Sequence, residues 1–344
     1  MPVFKNSKNF LENQVCPLCK TKDFHVFTSC YKNVYSELIS AHIGVEEDHL
    51  LSKNKVYKCK NCEITFWQYK LSKIIRKNLY KSILPNHPKG DDASGKNFNL
   101  KSMIQRLDKL DRLSNQRKRV LEGYIGSMIF NDPLEETKAK KILYDYQFNK
   151  IDNSSFIENI FSRGPKYLSR YSGFRKTILD ELIINIFKTN NSIFNYVEYG
   201  CTSWGPIKLI AENGYQSTSI IPTQDIFWNC KSHANNIKLK NYQIIDEKDI
   251  KENKNLIENS TLSLILILDH IDEPLDFLNS FIEMGVRFIF IVLERKIKDG
   301  YLPIQHLTIW DKTSLIYLAE RLGAEINFID LKSNLYLSTL LEIK

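Results

Sequence analysis

Glycine is scarce in this chain, with 13 in 344 residues, so each position that needs one stands out. Long apolar runs are missing: the longest, residues 264–268 and 288–293, are far too short to span a bilayer. The N-terminal stretch MPVFKNSKNF has no apolar run behind its lysines, so no signal peptide is expected and the chain reads as cytoplasmic. No internal repeat is visible. Stacking aromatics interleaved with basic residues are also lacking, which argues against nucleic acid as a partner. What is present is globular. Hydrophobic residues make up 43% and charged residues 26%, enough for a proper core, and the length suggests two domains. The net charge of +8 is unevenly spread. Residues 1–190 carry 33 basic against 20 acidic side chains, and residues 191–344 carry 15 against 20. The basic half fits either solvated helix surface or a face toward phosphates on a nucleic acid, a nucleotide or a glycolipid carrier.

Four of the seven cysteines form a pattern, Cys16-Pro-Leu-Cys19 and Cys59-Lys-Asn-Cys62. A tight turn at C-x-x-C aims two thiolates at one point, and two such knuckles complete a tetrahedron around zinc. Four thiolates close the coordination shell, so the expected Zn2+ is structural. The segment between the knuckles must hold an insertion, and residues 34–49 read as a helix within it. His25, Cys30, His42 and His49 lie in the same interval and read as ordinary side chains. Cys201 and Cys230 stand alone and read as small buried hydrophobes.

The periodicity suggests three parts: a zinc-binding module over 1–72, a linker and helical bridge over 73–190, and an α/β domain over 191–344. Strand-like segments cover residues 24–28 and 64–69. Pro85, Pro88, Gly90 and Gly95 mark a loop, and residues 99–150 and 172–187 have helical spacing. From residue 194 the texture alternates. Strands are expected at 194–199, 215–221, 242–245, 262–268, 287–293, 325–330 and 335–342. Helices are expected at 206–213, 226–235, 275–284 and 312–322. This alternation implies a doubly wound parallel sheet, with ligands at the carboxyl ends of the strands.

These pieces, in this order, resemble the zinc-containing sugar methyltransferases. Those are class I enzymes that use S-adenosylmethionine (SAM), and their best-known members are C-methyltransferases of nucleotide-linked deoxysugars. Four stretches carry the resemblance. Tyr196-Val-Glu-Tyr-Gly200 resembles the first strand and glycine turn of a SAM site. Ser219-Ile-Ile-Pro222 resembles the end of the second strand. Leu268-Asp-His-Ile-Asp-Glu-Pro resembles the loop after the fourth strand. Ile304-Gln-His306-Leu resembles a stretch with a histidine near the substrate. The resemblance implies a Rossmann-like methyltransferase sheet behind a zinc-ribbon-like module and a helical bridge. It implies cofactor contacts from Glu198, Gly200, Gly205, Pro222, Asp246 and Asp269, with Asp249 an alternative to Asp246. His306 is implied as the base and His270 as a second catalytic group, while Asp269 either caps the following helix or orients a histidine. Tyr301 and Trp310 line a pocket or pack as core aromatics.

The sequence also departs from that pattern. Only Gly200 keeps its place in a turn that reads Gly200-Cys-Thr-Ser-Trp-Gly205, and Ile221 stands where an acid would take the ribose hydroxyls, with Asp225 an uncertain substitute. Losing such a bidentate contact costs about 1–3 kcal/mol. Two functions therefore stay open. One is SAM-dependent methylation of a sugar or related small metabolite, a nucleotide-linked precursor of a surface glycan. The other is a non-catalytic binding or scaffold role on the same fold. Nucleic-acid modification is weaker, since no Pro-Pro-Tyr-like tetrapeptide of amino-methylating enzymes is present.

Overall fold

The computed structural model describes residues 10–28, 54–74, 76, 145, 178, 180, 195–200, 206–222, 234–235, 237–294, 306–331 and 336–344. The expected helix at 34–49, the loop near residue 90, the helices over 99–150 apart from Asp145, and Cys30, His42, His49, Cys201, Trp204, Gly205, Asp225, Cys230 and Tyr301 lie outside the described residues.

The N-terminal region is built of short antiparallel strands. β1 (Phe10–Glu12) pairs with β5 (Tyr69–Leu71). β2 (Phe24–Thr28), β3 (Val56–Cys59) and β4 (Thr65–Trp67) form a meander. Its aromatic face is knit by Phe24, whose ring lies 4.7 Å from that of Tyr57 and 5.4 Å from that of Phe66. The single strand expected at 64–69 is two strands: the chain breaks at Gln68, and its halves serve different sheets. A fourth strand comes from far along the chain. β11 (Thr308–Ile309) pairs antiparallel with β4, Thr308 opposite Phe66 and Ile309 opposite Thr65.

The main sheet has seven strands: β6 (Asn195–Tyr199), β7 (Gln216–Ile221), β8 (Tyr242–Asp246), β9 (Ser260–Ile265), β10 (Phe288–Glu294), β12 (Ala324–Ile329) and β13 (Tyr336–Ile343). Their order is β12-β13-β10-β9-β6-β7-β8. The expected all-parallel sheet needs one correction. β13 runs antiparallel to both β10 and β12, so the sheet is mixed. The cause is the short connection from β12, since a parallel return needs a crossover of a dozen or more residues.

Among the described residues, α1 (Ile207–Glu212), α2 (Pro274–Glu283) and α3 (Lys312–Leu322) accompany the sheet. α3 is delimited by its own residues. Asp311 and Ser314 form a reciprocal capping box, and Gly323 ends the helix at φ 65°, a conformation that glycine adopts without a side-chain penalty. Its inner face buries Leu315, Leu318, Ala319 and Leu322, spaced three and four residues apart. One apolar core joins the two sheets. It runs from Cys16, Leu18, Ile64 and Phe66 to Ile267, Leu268, Ile271 and Leu315.

Candidate functional site

β7 and β8 follow β6 on one side, and the chain then crosses to place β9 and β10 on the other. Strand order thus reverses between β6 and β9. In an open α/β sheet, ligands bind at that switch point, beyond the carboxyl ends of the strands. Two loops meet there. The β6 loop begins with Gly200 at φ 70°, its N–H donating to the Ile220 carbonyl at 3.0 Å. A Cβ at Gly200 would stand 2.8 Å from Ile267 Cδ1 and 3.8 Å from Pro222 Cγ. The glycine is therefore favoured by its left-handed backbone, and a side chain there would have to displace the end of Ile267.

The β9 loop does not follow the expected course. The strand, expected over 262–268, ends at Ile265. Leu266 takes a left-handed φ of 57°, and Leu268–His270 form a single 3-10 turn. This turn brings Asp269 and His270 beside His306, two residues before β11. The His306 Nδ1–H donates to Asp269 Oδ2 at 2.7 Å. His270 Nε2 lies 3.9 Å from the other oxygen, Oδ1, and the two imidazoles meet edge to face with centroids 4.7 Å apart. All three are largely buried, with side-chain exposures of 5% for Asp269, 11% for His270 and 16% for His306. Burial pushes the Asp269 carboxyl up, but the nearby His306 and His270 outweigh it and hold the group well below the usual carboxylate range. Of the two roles open to Asp269, helix cap or histidine orienter, the geometry shows the second. Glu273 occupies the cap position of α2, with no side-chain cap bond.

The loop is fixed from outside the sheet. The Leu307 N–H donates to the Asp269 carbonyl at 2.7 Å. Arg76, only 1% exposed, donates to the His270 carbonyl at 3.4 Å and to Asp272 Oδ2 at 2.6 Å, while Lys70 donates to Asp272 Oδ1 at 2.7 Å. Burial raises the Asp272 carboxyl, yet the Arg76 and Lys70 charges win and lower it. Neither Arg76 nor Lys70 is marked by any motif in the sequence. Only an apolar context around a lone basic residue would have hinted at Arg76.

Of the remaining implied cofactor residues, Glu198 is buried on β6, with the Tyr196 hydroxyl donating to its Oε2 at 3.3 Å. Pro222 is buried directly after β7, and Asp246 ends β8. Ile221 and Asp246 are register partners across β7 and β8, so a carboxylate stands one strand away from the apolar position. Asp249 lies beyond it in a 3-10 turn (Glu247–Asp249). Trp310 is buried with its indole N–H donating to Thr308 Oγ1 at 3.0 Å, a packing residue beside β11.

The four cysteines converge, their sulfur atoms all within 4.8 Å of one another. Cys16 and Cys62 sulfurs are 3.5 Å apart, and those of Cys19 and Cys59 3.4 Å. Tetrahedral zinc with bonds near 2.3 Å would set its thiolates about 3.8 Å apart, so the cluster fits with small adjustments. The two knuckles share one backbone plan. Lys20 N–H returns to the Cys16 carbonyl and Glu63 N–H to that of Cys59, and both Lys20 and Glu63 take a φ of 62°. The hydrogen bond with Cys62 brings the Cys16 thiol down to about 5, whereas burial pushes Cys59 up to about 11. His25 is exposed on β2 and is not part of the cluster.

No protein-family model matches this chain, and no curated protein matches it. Solved structures are similar over half of it. Magnesium protoporphyrin IX methyltransferase from Synechocystis PCC 6803 with bound SAH shares 10% identity, covering 50% of this chain and 84% of its own, at a TM-score of 0.37. A SAM-dependent methyltransferase from Aquifex aeolicus shares 12% identity over 49% and 89%, at 0.38. The N-terminal domain of EvdMO1 with SAH and D-fucose shares 10% over 50% and 83%, at 0.35. The mixed seven-stranded sheet described above is consistent with a Rossmann-like fold.

Proposed function

We propose that this chain is a SAM-dependent methyltransferase acting on a sugar or related small metabolite, a nucleotide-linked precursor of a surface glycan, in the cytoplasm. One observation carries the reading. At the switch point between β6 and β9, a glycine turn packs against Ile267 of the loop that carries the buried Asp269–His306 pair, flanked by His270. Backbone approach on one side and a proton-accepting group on the other are the two needs of methyl transfer. Among the described residues no helix is long and apolar enough to cross a membrane.

Gly200, Glu198 and Pro222 are the residues to hold SAM, with Glu198 facing its ammonium group. Asp246 is the described acid best placed to serve the ribose or adenine, because it sits beside Ile221 in register. SAM supplies an activated methyl group when bound. Asp269 orients the His306 ring through Nδ1, which leaves Nε2 as the nitrogen to take the acceptor's proton. Cys16, Cys19, Cys59 and Cys62 hold a structural zinc within the module of residues 1–72, residues 73–190 bridge, and residues 191–344 carry the site.

Titrating the zinc-loaded protein with SAM by calorimetry tests this reading. Binding that is lost in Gly200→Val and retained in His306→Ala, with turnover lowered only in the latter, is the expected result. Buried Ile221, in place of the ribose acid, favours the non-catalytic binding role instead. No SAM affinity at millimolar concentration would decide for that second reading.

A further inference from the structure

The Asp269 carboxylate has two oxygens in different circumstances. Oδ2 is taken by His306. Oδ1 is buried and has no hydrogen-bond donor among the described residues, on a residue only 4% exposed. An unsatisfied buried acceptor costs about 1–3 kcal/mol, and more when charged. Something that Oδ1 can bind would remove that cost. His270 Nε2 lies 3.9 Å from it, beyond hydrogen-bond range. A gap of that size between two donor atoms is what an ion can bridge.

We propose that Asp269, His270 and His306 form a binding site for a divalent first-row transition metal ion, separate from the four-cysteine site. One donor atom from each residue lies within 4.8 Å of the other two. Ligands at roughly 2.0–2.2 Å from one ion sit about 3–3.5 Å apart, so side-chain rotations of about 1 Å close the set. Two imidazoles and one carboxylate suit zinc, iron(II), cobalt or manganese. They differ in kind from the closed thiolate set, which selects soft ions. Three protein ligands also leave coordination positions open, as a site that handles substrate requires and a purely structural one does not.

The frame around the set is rigid. Asp269 is held through its carbonyl by the Leu307 N–H and His270 through its carbonyl by Arg76. The set lies on the loop that follows β9, at the carboxyl end of that strand, where an open α/β sheet binds its ligands. An ion there would bind an acceptor oxygen and lower its pKa, so that its proton passes to solvent water. A nitrogen that binds the ion cannot accept that proton, so in the ion-bound state coordination takes over the work given above to His306. The metal site rests on these side chains alone and does not depend on SAM binding.

The test is a Mn2+ titration of the full chain with zinc already in place, followed by electron paramagnetic resonance. Mn2+ is chosen because it prefers nitrogen and oxygen ligands and leaves the thiolates to zinc. One Mn2+ per chain is expected, with couplings to imidazole nitrogen in the bound signal. His270→Ala and His306→Ala should each weaken binding at least tenfold while the zinc content stays constant. Absence of binding at millimolar Mn2+, bound ion without nitrogen coupling, or unchanged affinity in both variants overturns the proposal. The nitrogen coupling is read on the unaltered protein, so a variant that fails to fold does not blunt the test. Calorimetry with SAM on the same sample reports the methyltransferase reading separately.

Discussion

Replacing Arg76 with methionine probes the clamp that joins the cysteine-bearing region to the β9 loop. The guanidinium is 1% exposed and makes a 2.6 Å contact with Asp272 and a 3.4 Å contact with the His270 carbonyl. Breaking a buried ion pair from one side costs about 3–5 kcal/mol, mainly because the surviving charge is stranded. Here Asp272 is not stranded. Lys70 stays 2.7 Å away, and the Asp272 side chain is 17% exposed. Arg76 Nε is itself buried without an acceptor among the described residues, so removing it also recovers a desolvation cost. The expected loss for Arg76→Met is therefore near the bottom of that range, about 2–3 kcal/mol. Asp272→Asn leaves the more deeply buried charge alone and should cost about 3–4 kcal/mol. The double variant should fall short of the sum by about 1–3 kcal/mol, because the residues share one network. Urea unfolding of the zinc-loaded chain, with the slope compared between variants, measures all three. A change under about 0.5 kcal/mol for Arg76→Met, or strict additivity in the double variant, would refute the clamp.

Three other outcomes are expected. Purified protein should contain one zinc per chain, and Cys59→Ser should release it and destabilise the N-terminal strands, as metal analysis and circular dichroism would report. Gly200→Val should abolish SAM binding and cost roughly 2 kcal/mol or more of stability, since a β-branched residue is placed at positive φ against Ile267; normal SAM affinity in this variant would remove Gly200 from the site. Leu315→Ala, at a fully buried position on α3, should cost about 2–5 kcal/mol in urea unfolding without changing zinc content.

Much of this architecture can be read from periodicity. α3 ends where its apolar spacing ends, and the strands at β7, β8 and β10 lie within a residue or two of their apolar runs. The cysteine cluster is legible because C-x-x-C spacing encodes its geometry locally. Three features are not legible, each for a physical reason. β9 reads as running to Leu268 because an apolar run does not reveal the left-handed turn at Leu266 that ends it. β13 reads as parallel because alternation gives no direction, and only the short connection shows it. β11 is missed because its pairing is decided by a partner distant in sequence, its two residues depending on β4 entirely, and β3 is missed because, only four residues long, it shows little alternation of its own. Within the site, the resemblance marks Asp269, His270 and His306 individually, but that His306 and Asp269 touch is a tertiary fact.

The position of β11 ties the cysteine cluster to the site more closely than a covering module would be tied. Cys59 ends β3, β3 pairs with β4, and β4 pairs with β11, one residue beyond Leu307. Leu307 in turn holds the Asp269 backbone, and Asp269 holds the His306 ring. On the other side, Lys20, directly after Cys19, contacts Glu273 at the start of α2. Leu18 lies in the same core as Leu268 and Ile271. β11, which begins two residues after His306, has only two residues of its own, too few for a stable pair without neighbours. Its register is therefore borrowed from β4, and β4 is held next to the cysteine knuckles. A metal at the four thiols would thus fix the geometry of a histidine pair that it never touches. This accounts for a cysteine cluster sharing one core with the sheet, and it makes Thr308 and Ile309 the physical link between the two.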